Sequence, residues 1–150
     1  MRLAREALGE QRRPPMPGIG SRKTKEERRT GHSSRVLVID DEAVIADTVT
    51  EILNLNGYDA EPFYSGEAAI EAARKRCPDL VLADVIMPHR DGVSTVMEIR
   101  QWCPFTRVLL FSGQGNISDL LAKARAQGES FPLISKPIRP EQLLERIAKM

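Results

Sequence analysis

Leu80-Val81-Leu82-Ala83-Asp84-Val85-Ile86-Met87-Pro88-His89-Arg90-Asp91-Gly92 is the stretch that decides the fold. Leu80 to Ala83 carry no polar side chain and read as a buried strand. The strand runs directly into a carboxylate, Asp84. Pro88 stiffens the loop that follows, and Asp91-Gly92 turns it into a helix. An apolar strand ending in a carboxylate puts that carboxylate at the rim of a sheet. In open α/β sheets that rim, at the carboxyl ends of the strands, is where ligands bind. Alone, Asp84 would pass for an ordinary loop cap, because Asp is a common turn residue. The other strand ends give it a different meaning.

Upstream, Val36 to Ile39 is a second continuous apolar strand, and Asp40-Asp41-Glu42 open a helix after it. Ile45, Val49, Ile52 and Leu53 form that helix's apolar stripe. Asn56-Gly57 stops it. Asp59 to Tyr64 is a weaker strand containing Pro62. Ser65 caps a helix reaching about Cys77, where Pro78 ends it. Downstream of the central stretch, a helix from Gly92 to about Trp102 presents Val93, Val96 and Met97. Val108 to Phe111 is a strand ending at Ser112. Asn116 then caps a helix, with Asp119 three residues on. Ile117, Leu120, Leu121 and Ala124 are its inner stripe, and Gly128 ends it. Phe131 to Ser135 is the fifth strand. Pro140 begins a last helix with Leu143, Leu144 and Ile147 inside.

Five strands alternating with five helices mean right-handed crossovers and a parallel sheet. Proline cannot donate to a sheet ladder and belongs at edges. Only the second strand (Pro62) and the fifth (Pro132) contain it. The first, third and fourth are the most continuously apolar, as central parallel strands should be. The expectation is a flavodoxin-like, doubly wound α/β sheet of order 2-1-3-4-5.

The chain of 150 residues suffices for one domain with a real core. Its charge is unevenly placed. Residues 1–34 carry nine Lys+Arg and four Glu, a net of +5, which leaves −4 for residues 35–150. The first segment has no apolar periodicity in SRKTKEERRTGHSS, and PPMPG breaks what precedes it. We expect residues 1–34 to be a disordered basic tail and residues 35–150 to be the folded domain. Basic segments without aromatics are usually solvated, so nucleic acid is a weak expectation. No apolar run approaches membrane-spanning length, and the N-terminus lacks the apolar core of a secretory signal. A cytoplasmic protein is expected. Cys77 and Cys103 each precede a proline at a helix end, without metal-ligand spacing. Reduced thiols are the default in that compartment.

In the expected strand order, one rim collects Asp40 and Asp41 from the first strand, Asp84 from the third, Ser112 from the fourth and Lys136 from the fifth. Three carboxylates in one crevice repel unless a cation sits among them. A hard divalent ion suits oxygen ligands, and Mg²⁺ fits one or two carboxylates plus waters and phosphate oxygens. Lys136 and the Ser112 hydroxyl add a positive charge and a donor. Together these make a site for a phosphoryl group.

VLVIDDE, DLVLADVIMPHRDG, VLLFSG and ISKPIRP together resemble the receiver domain of two-component response regulators, of the chemotaxis-regulator type. The resemblance covers residues 35–150. It implies that Asp84 accepts a phosphoryl group from a phosphohistidine on a sensor histidine kinase. A histidine phosphotransfer protein is the other donor it allows. It implies that Asp41 and Asp84 bind Mg²⁺ directly, with the backbone carbonyl of Ile86, and Asp40 through a water. Lys136 would hold one phosphoryl oxygen, and Ser112 would swing to another on phosphorylation. The Lys136-Pro137 bond would be cis. Such a domain assists only its own phosphorylation and dephosphorylation, and otherwise is not an enzyme.

Two departures stand out. The family usually has Tyr or Phe three residues before the lysine, where this chain has Leu133. No output domain follows the last helix in this sequence, so a single-domain receiver is expected. It would act by contact with another protein or by relay of the phosphoryl group. A haloacid-dehalogenase-like phosphatase uses a similar site. It needs a second Asp two residues after the nucleophile, and Ile86 stands there. A receiver-like binding module that is never phosphorylated is the other alternative. The complete set of Asp40, Asp41, Asp84, Ser112 and Lys136 argues against it.

Overall fold

The computed structural model describes residues 33–113 and 117–150. Five strands, β1 (Arg35–Ile39), β2 (Asp59–Phe63), β3 (Leu80–Asp84), β4 (Arg107–Ser112) and β5 (Leu133–Ser135), alternate with five helices. These are α1 (Ala43–Leu55), α2 (Gly66–Lys75), α3 (Gly92–Trp102), α4 (Ser118–Ala126) and α5 (Pro140–Ala148). The sheet has the order β2-β1-β3-β4-β5, and every pair is parallel. Both proline-bearing segments are at edges, as the missing donor requires. Pro62 lies within β2, while Pro132 falls just before the short β5 and lends its carbonyl to Leu110 N–H at 2.9 Å.

Strand alternation splits the core into two layers. Leu37, Ile39, Val81, Ala83, Val108 and Leu110 face α2, α3 and α4. Val36, Val38, Leu80, Leu82, Leu109 and Phe111 face α1 and α5. All of β3 is buried, which fits a central parallel strand covered on both faces. Caps set two of the helix starts. Ser65 Oγ accepts Ala68 N–H at 3.2 Å, and Asp91 Oδ1 accepts Ser94 N–H at 2.7 Å.

Several details differ from the sequence reading. In α1 the buried stripe is Ala46, Val49, Thr50 and Leu53, while Ile45 and Ile52 are only partly covered. Ala46 and Thr50 take inward positions of this helix, and the two isoleucines lie on the flanks of that stripe. Helix α4 begins after Ile117 without a side-chain cap. The expected cap, Asn116, lies outside the described residues, as do residues 1–32 of the expected tail. Residue 33 already belongs to the fold, since Ser33 Oγ donates to Gly57 O at 3.2 Å.

The cysteines require a correction. Cys77 and Cys103 form a disulfide, with Cα atoms 5.6 Å apart, and are not the free thiols expected. Helices α2 and α3 lie side by side in the same layer and end at the same pole, each at a Cys-Pro step. Parallel neighbours of matched length therefore bring the two sulfurs together. No described helix is long and apolar enough to cross a membrane.

Candidate phosphoryl and metal site

The backbone register builds the site. Ile39 pairs with Ala83, so the next residues, Asp40 and Asp84, leave adjacent strands at the same level. Neighbouring strands are about 4.8 Å apart, which forces the two carboxylates together. Asp40 is fully buried and Asp84 is 5 % exposed. Asp40 is fixed by its N–H, which donates to Phe63 O at 3.0 Å, and by its Oδ1, which accepts Glu42 N–H at 2.9 Å. Asp84 is followed by Val85, whose N–H donates to Phe111 O at 3.0 Å. The loop returns through Gly92, whose N–H donates to Val85 O at 2.8 Å.

Lys136 comes from β5, with β4 between it and Asp84. Its backbone N–H donates to Ser112 O at 2.9 Å. Its side chain crosses β4, with Nζ 5.4 Å from the Phe111 ring centroid. Gly113 lies alongside the Lys136 side chain, where a Cβ would meet Lys136 Cδ at an ordinary contact distance of 3.6 Å. Lys136 Nζ donates to Asp40 Oδ2 at 3.1 Å and to Asp84 Oδ2 at 3.2 Å. Glu42 Oε1 stands 3.8 Å from the same nitrogen.

One ammonium cannot balance this cluster. Carboxylate oxygens of Asp40, Asp41 and Asp84 lie within 4.8 Å of one another, and Asp41 is open to solvent. Burial, and then the charge of Asp40, push the Asp84 carboxyl above its ordinary range, although Lys136 and the Ile86 N–H oppose this. For Lys136, burial pulls the other way, but Asp40 and Asp84 outweigh it and hold the ammonium above its ordinary value. The donors are all oxygens, and two of the three carboxylates are buried. That chemistry fits a hard divalent cation entering from the side of Asp41.

Asp40, Asp41, Asp84 and Lys136 are thus gathered as the strand ends require. Ser112 ends β4 beside them, opposite Ser135 in register, and its carbonyl holds the Lys136 backbone. The Ile86 N–H faces the Asp84 carboxylate, and the Ile86 side chain is half exposed. The Lys136-Pro137 bond is cis. Glu42, Phe111 and Arg90 are not singled out as site residues by the sequence. Glu42 was visible only as the third acid of the DDE run. Arg90 ties the loop after Asp84 to both flanking helices, pairing with Glu67 at 3.4 Å and Glu98 at 2.9 Å. Its role depends on bridging Glu67, 23 residues before it, and Glu98, eight residues after it, and no local signal marks such a bridge.

Beside Lys136 runs an open groove of about 490 Å³, lined by Val44, Ile45, Ile52, Lys136, Pro137 and Ile138. Val44 is 78 % exposed there.

Residues 36–148 match the response regulator receiver domain family. The chain is 32% identical to the chemotaxis protein CheY of Bacillus subtilis (strain 168), over 77% of this chain and 95% of that protein. It is equally identical to the probable transcriptional regulatory protein TcrX of Mycobacterium tuberculosis, over 80% of this chain but 50% of that protein. The chain thus spans about half the length of TcrX and of the similar regulatory protein VanRc of Enterococcus gallinarum. Among solved structures, chemotaxis protein CheY4 of Vibrio cholerae superposes with a TM-score of 0.69 at 27% identity, covering 78% of this chain and 98% of that one. A CheY-like receiver domain protein from Methanospirillum hungatei JF-1 gives 0.71 at 23% identity, over 78% and 92%, a likeness of fold. The strand order, the acidic rim crossed by one lysine and the match over residues 36–148 converge: the chain belongs to the receiver domain family of two-component response regulators.

Proposed function

We propose that residues 35–150 act as the receiver unit and that Asp84 is its phosphoacceptor. The donor would be a phosphohistidine on a sensor histidine kinase or a histidine phosphotransfer protein. The observation that carries this reading is the position of Lys136 Nζ, within 3.2 Å of both Asp40 and Asp84 at an acidic rim. An Asp84 carboxylate oxygen attacks phosphorus, the P–N bond to the donor imidazole breaks, and its electron pair stays on the departing nitrogen. The product is an acyl phosphate. Lys136 holds one phosphoryl oxygen by charge, and the Ser112 hydroxyl donates to another. These contacts strengthen as charge develops on the transferring group.

Asp41, Asp84 and the Ile86 carbonyl would hold Mg²⁺ directly, and Asp40 would do so through a water. When bound, the ion supplies charge neutralisation at the phosphoryl oxygens. The groove beside Lys136 gives the donor protein an apolar seat from which its histidine reaches Asp84. Phosphorylation then changes contact with a downstream protein or is relayed onward. The chain works in the cytoplasm in this reading, and a chain starting at Ser33 takes up phosphoryl as well as the full chain does.

Intact-mass measurement after incubation with acetyl phosphate and Mg²⁺ tests the assignment. One acid-labile phosphoryl group per chain is expected, absent in Asp84→Asn and abolished by EDTA. Uptake that persists in Asp84→Asn would refute it.

A further inference from the structure

The pole opposite the carboxylate rim carries the Cys77–Cys103 disulfide, which the phosphoryl chemistry does not use. We propose that this bond is a reversible thiol-exchange site, opened from the Cys77 side by a small anionic thiol of the glutathione class. The two sulfurs are not equivalent. Cys103 is 2 % exposed, whereas Cys77 is open to solvent. Arg74, Lys75 and Arg76 directly precede Cys77, a cationic approach for a thiolate. The incoming thiolate bonds to Cys77 Sγ, and the bond to Cys103 breaks with its electron pair left on Cys103, which takes a proton. A second thiolate attacks the small thiol's own sulfur. That step releases the small disulfide and leaves Cys77 as thiolate, which is then protonated. Two electrons pass from two thiols to one disulfide.

Closure can reverse because the two Cys-Pro steps are held together independently of sulfur. The buried Thr106 hydroxyl donates to Pro78 O at 2.7 Å, and the Thr106 N–H donates to Cys103 O at 3.1 Å. Thr106 thus bridges the segments that follow α2 and α3 and keeps the reduced thiols near each other. The disulfide also brackets residues 78–102, which contain β3, Asp84 and α3. At the other end, Arg90 joins the loop after Asp84 to α2 and α3. Oxidised, the α2–α3 pair is covalently fastened at the disulfide pole; reduced, that pole keeps only the Thr106 hydrogen bonds, while the Arg90 ion pairs remain beside Asp84.

Trp102 precedes Cys103, is the only tryptophan in the chain, and lies under the Arg74 guanidinium at 4.6 Å. Its fluorescence therefore reports the bond. The full chain, purified in air, is treated with millimolar glutathione under native conditions, quenched with maleimide and mapped by mass spectrometry. The expected result is no maleimide uptake before glutathione and two labels after it. Trapped glutathione should be on Cys77, with a matching change in Trp102 emission. Arg74→Glu with Lys75→Glu should slow opening several-fold, and Thr106→Val should slow reclosure in oxidised glutathione. Opening should lower the melting temperature by about 10 °C, as loss of a loop closure of this length does. Two reactive thiols in the air-purified chain would overturn the proposal. So would glutathione trapped on Cys103, or a bond that opens only in denaturant.

Discussion

Gly92 stands against the carbonyl of Asp84: a Cβ on Gly92 would lie 2.0 Å from that oxygen and 2.8 Å from its carbon. The first turn of α3 therefore rests on the backbone of the acidic residue at the centre of the rim. No rotamer relieves such a contact, because both sides are backbone or Cβ. Gly92→Ala should destabilise the fold by about 3 kcal/mol, through overpacking and displacement of the loop. Urea unfolding measures this, and phosphoryl uptake should fall with it. A loss under about 1 kcal/mol would mean that the loop yields freely.

The strand order and the rim were legible in sequence for a common reason. Pro62 and Pro132 mark edges, and Asp40, Asp84, Ser112 and Lys136 each follow an apolar strand, so one-dimensional pattern fixed three-dimensional place. What local pattern does not encode is lateral packing. The Cys77–Cys103 bond depends on α2 and α3 being neighbours of matched length. In α1 the inward positions fall to Ala46 and Thr50 as well as Val49 and Leu53, and Arg90 acts by reaching two helices.

Lys136 and Asp84 should pull stability in opposite directions. Removing the ammonium leaves the fully buried Asp40 beside Asp84 with no cation, so Lys136→Met should cost about 3 kcal/mol. Asp84→Asn removes a carboxylate disfavoured first by burial and then by Asp40, and should stabilise by on the order of 1 kcal/mol at neutral pH. The pH dependence follows in sign. The folded-state carboxyl of Asp84 is raised, so between the ordinary carboxylate range and that raised value the native chain holds a proton the unfolded chain has lost. This part of the stability is present at lower pH and is lost as pH rises through the folded value. Urea titrations across acidic to neutral pH should show that decline in the wild type and not in Asp84→Asn. Identical slopes would exclude the raised value. These measurements are made without added metal, which would compensate the same charges.

His89 has a φ of 69°, and among the described residues no other non-glycine has a positive φ. It lies in the loop between Asp84 and α3, exposed to solvent. A side chain there costs roughly 1–2 kcal/mol of backbone sterics, of which glycine returns part through its freer unfolded state. His89→Gly should raise stability by about 0.5 kcal/mol, and the β-branched His89→Val should lower it by about 1 kcal/mol. Urea midpoints at constant m-value decide the matter. If both variants lower stability, the imidazole contributes more than its backbone costs.

Leu133 sits where the receiver family usually carries an aromatic. It opens β5 opposite Leu110 and is only partly buried against the core layer that contains Leu110 and Ala124. Phe131 packs on the same layer two residues earlier, outside the strand. Helix α4 buries only Ala124, so this side of the sheet is held by few contacts. A residue that reports the site must have two positions of different energy, and a ligand shifts an equilibrium only by its differential interaction with them. Leucine has no polar tip to favour an exposed position, and it fills less volume than a ring when turned inward. The inward and outward states of Leu133 should therefore differ little, and β5 should respond weakly to phosphorylation. The response would instead run through the loops after Asp84 and Ser112, the first of which is fastened to α2 and α3 by Arg90. Amide hydrogen exchange with and without beryllofluoride, a phosphoryl mimic, measures this. The largest protection changes are expected at residues 84–92 and just after Ser112. Leu133→Tyr should extend them into β5 and α5, whereas Leu133→Ala should leave the wild-type pattern in place. If β5 and α5 respond most in the wild type, and Leu133→Ala abolishes that response, Leu133 is itself the switching side chain.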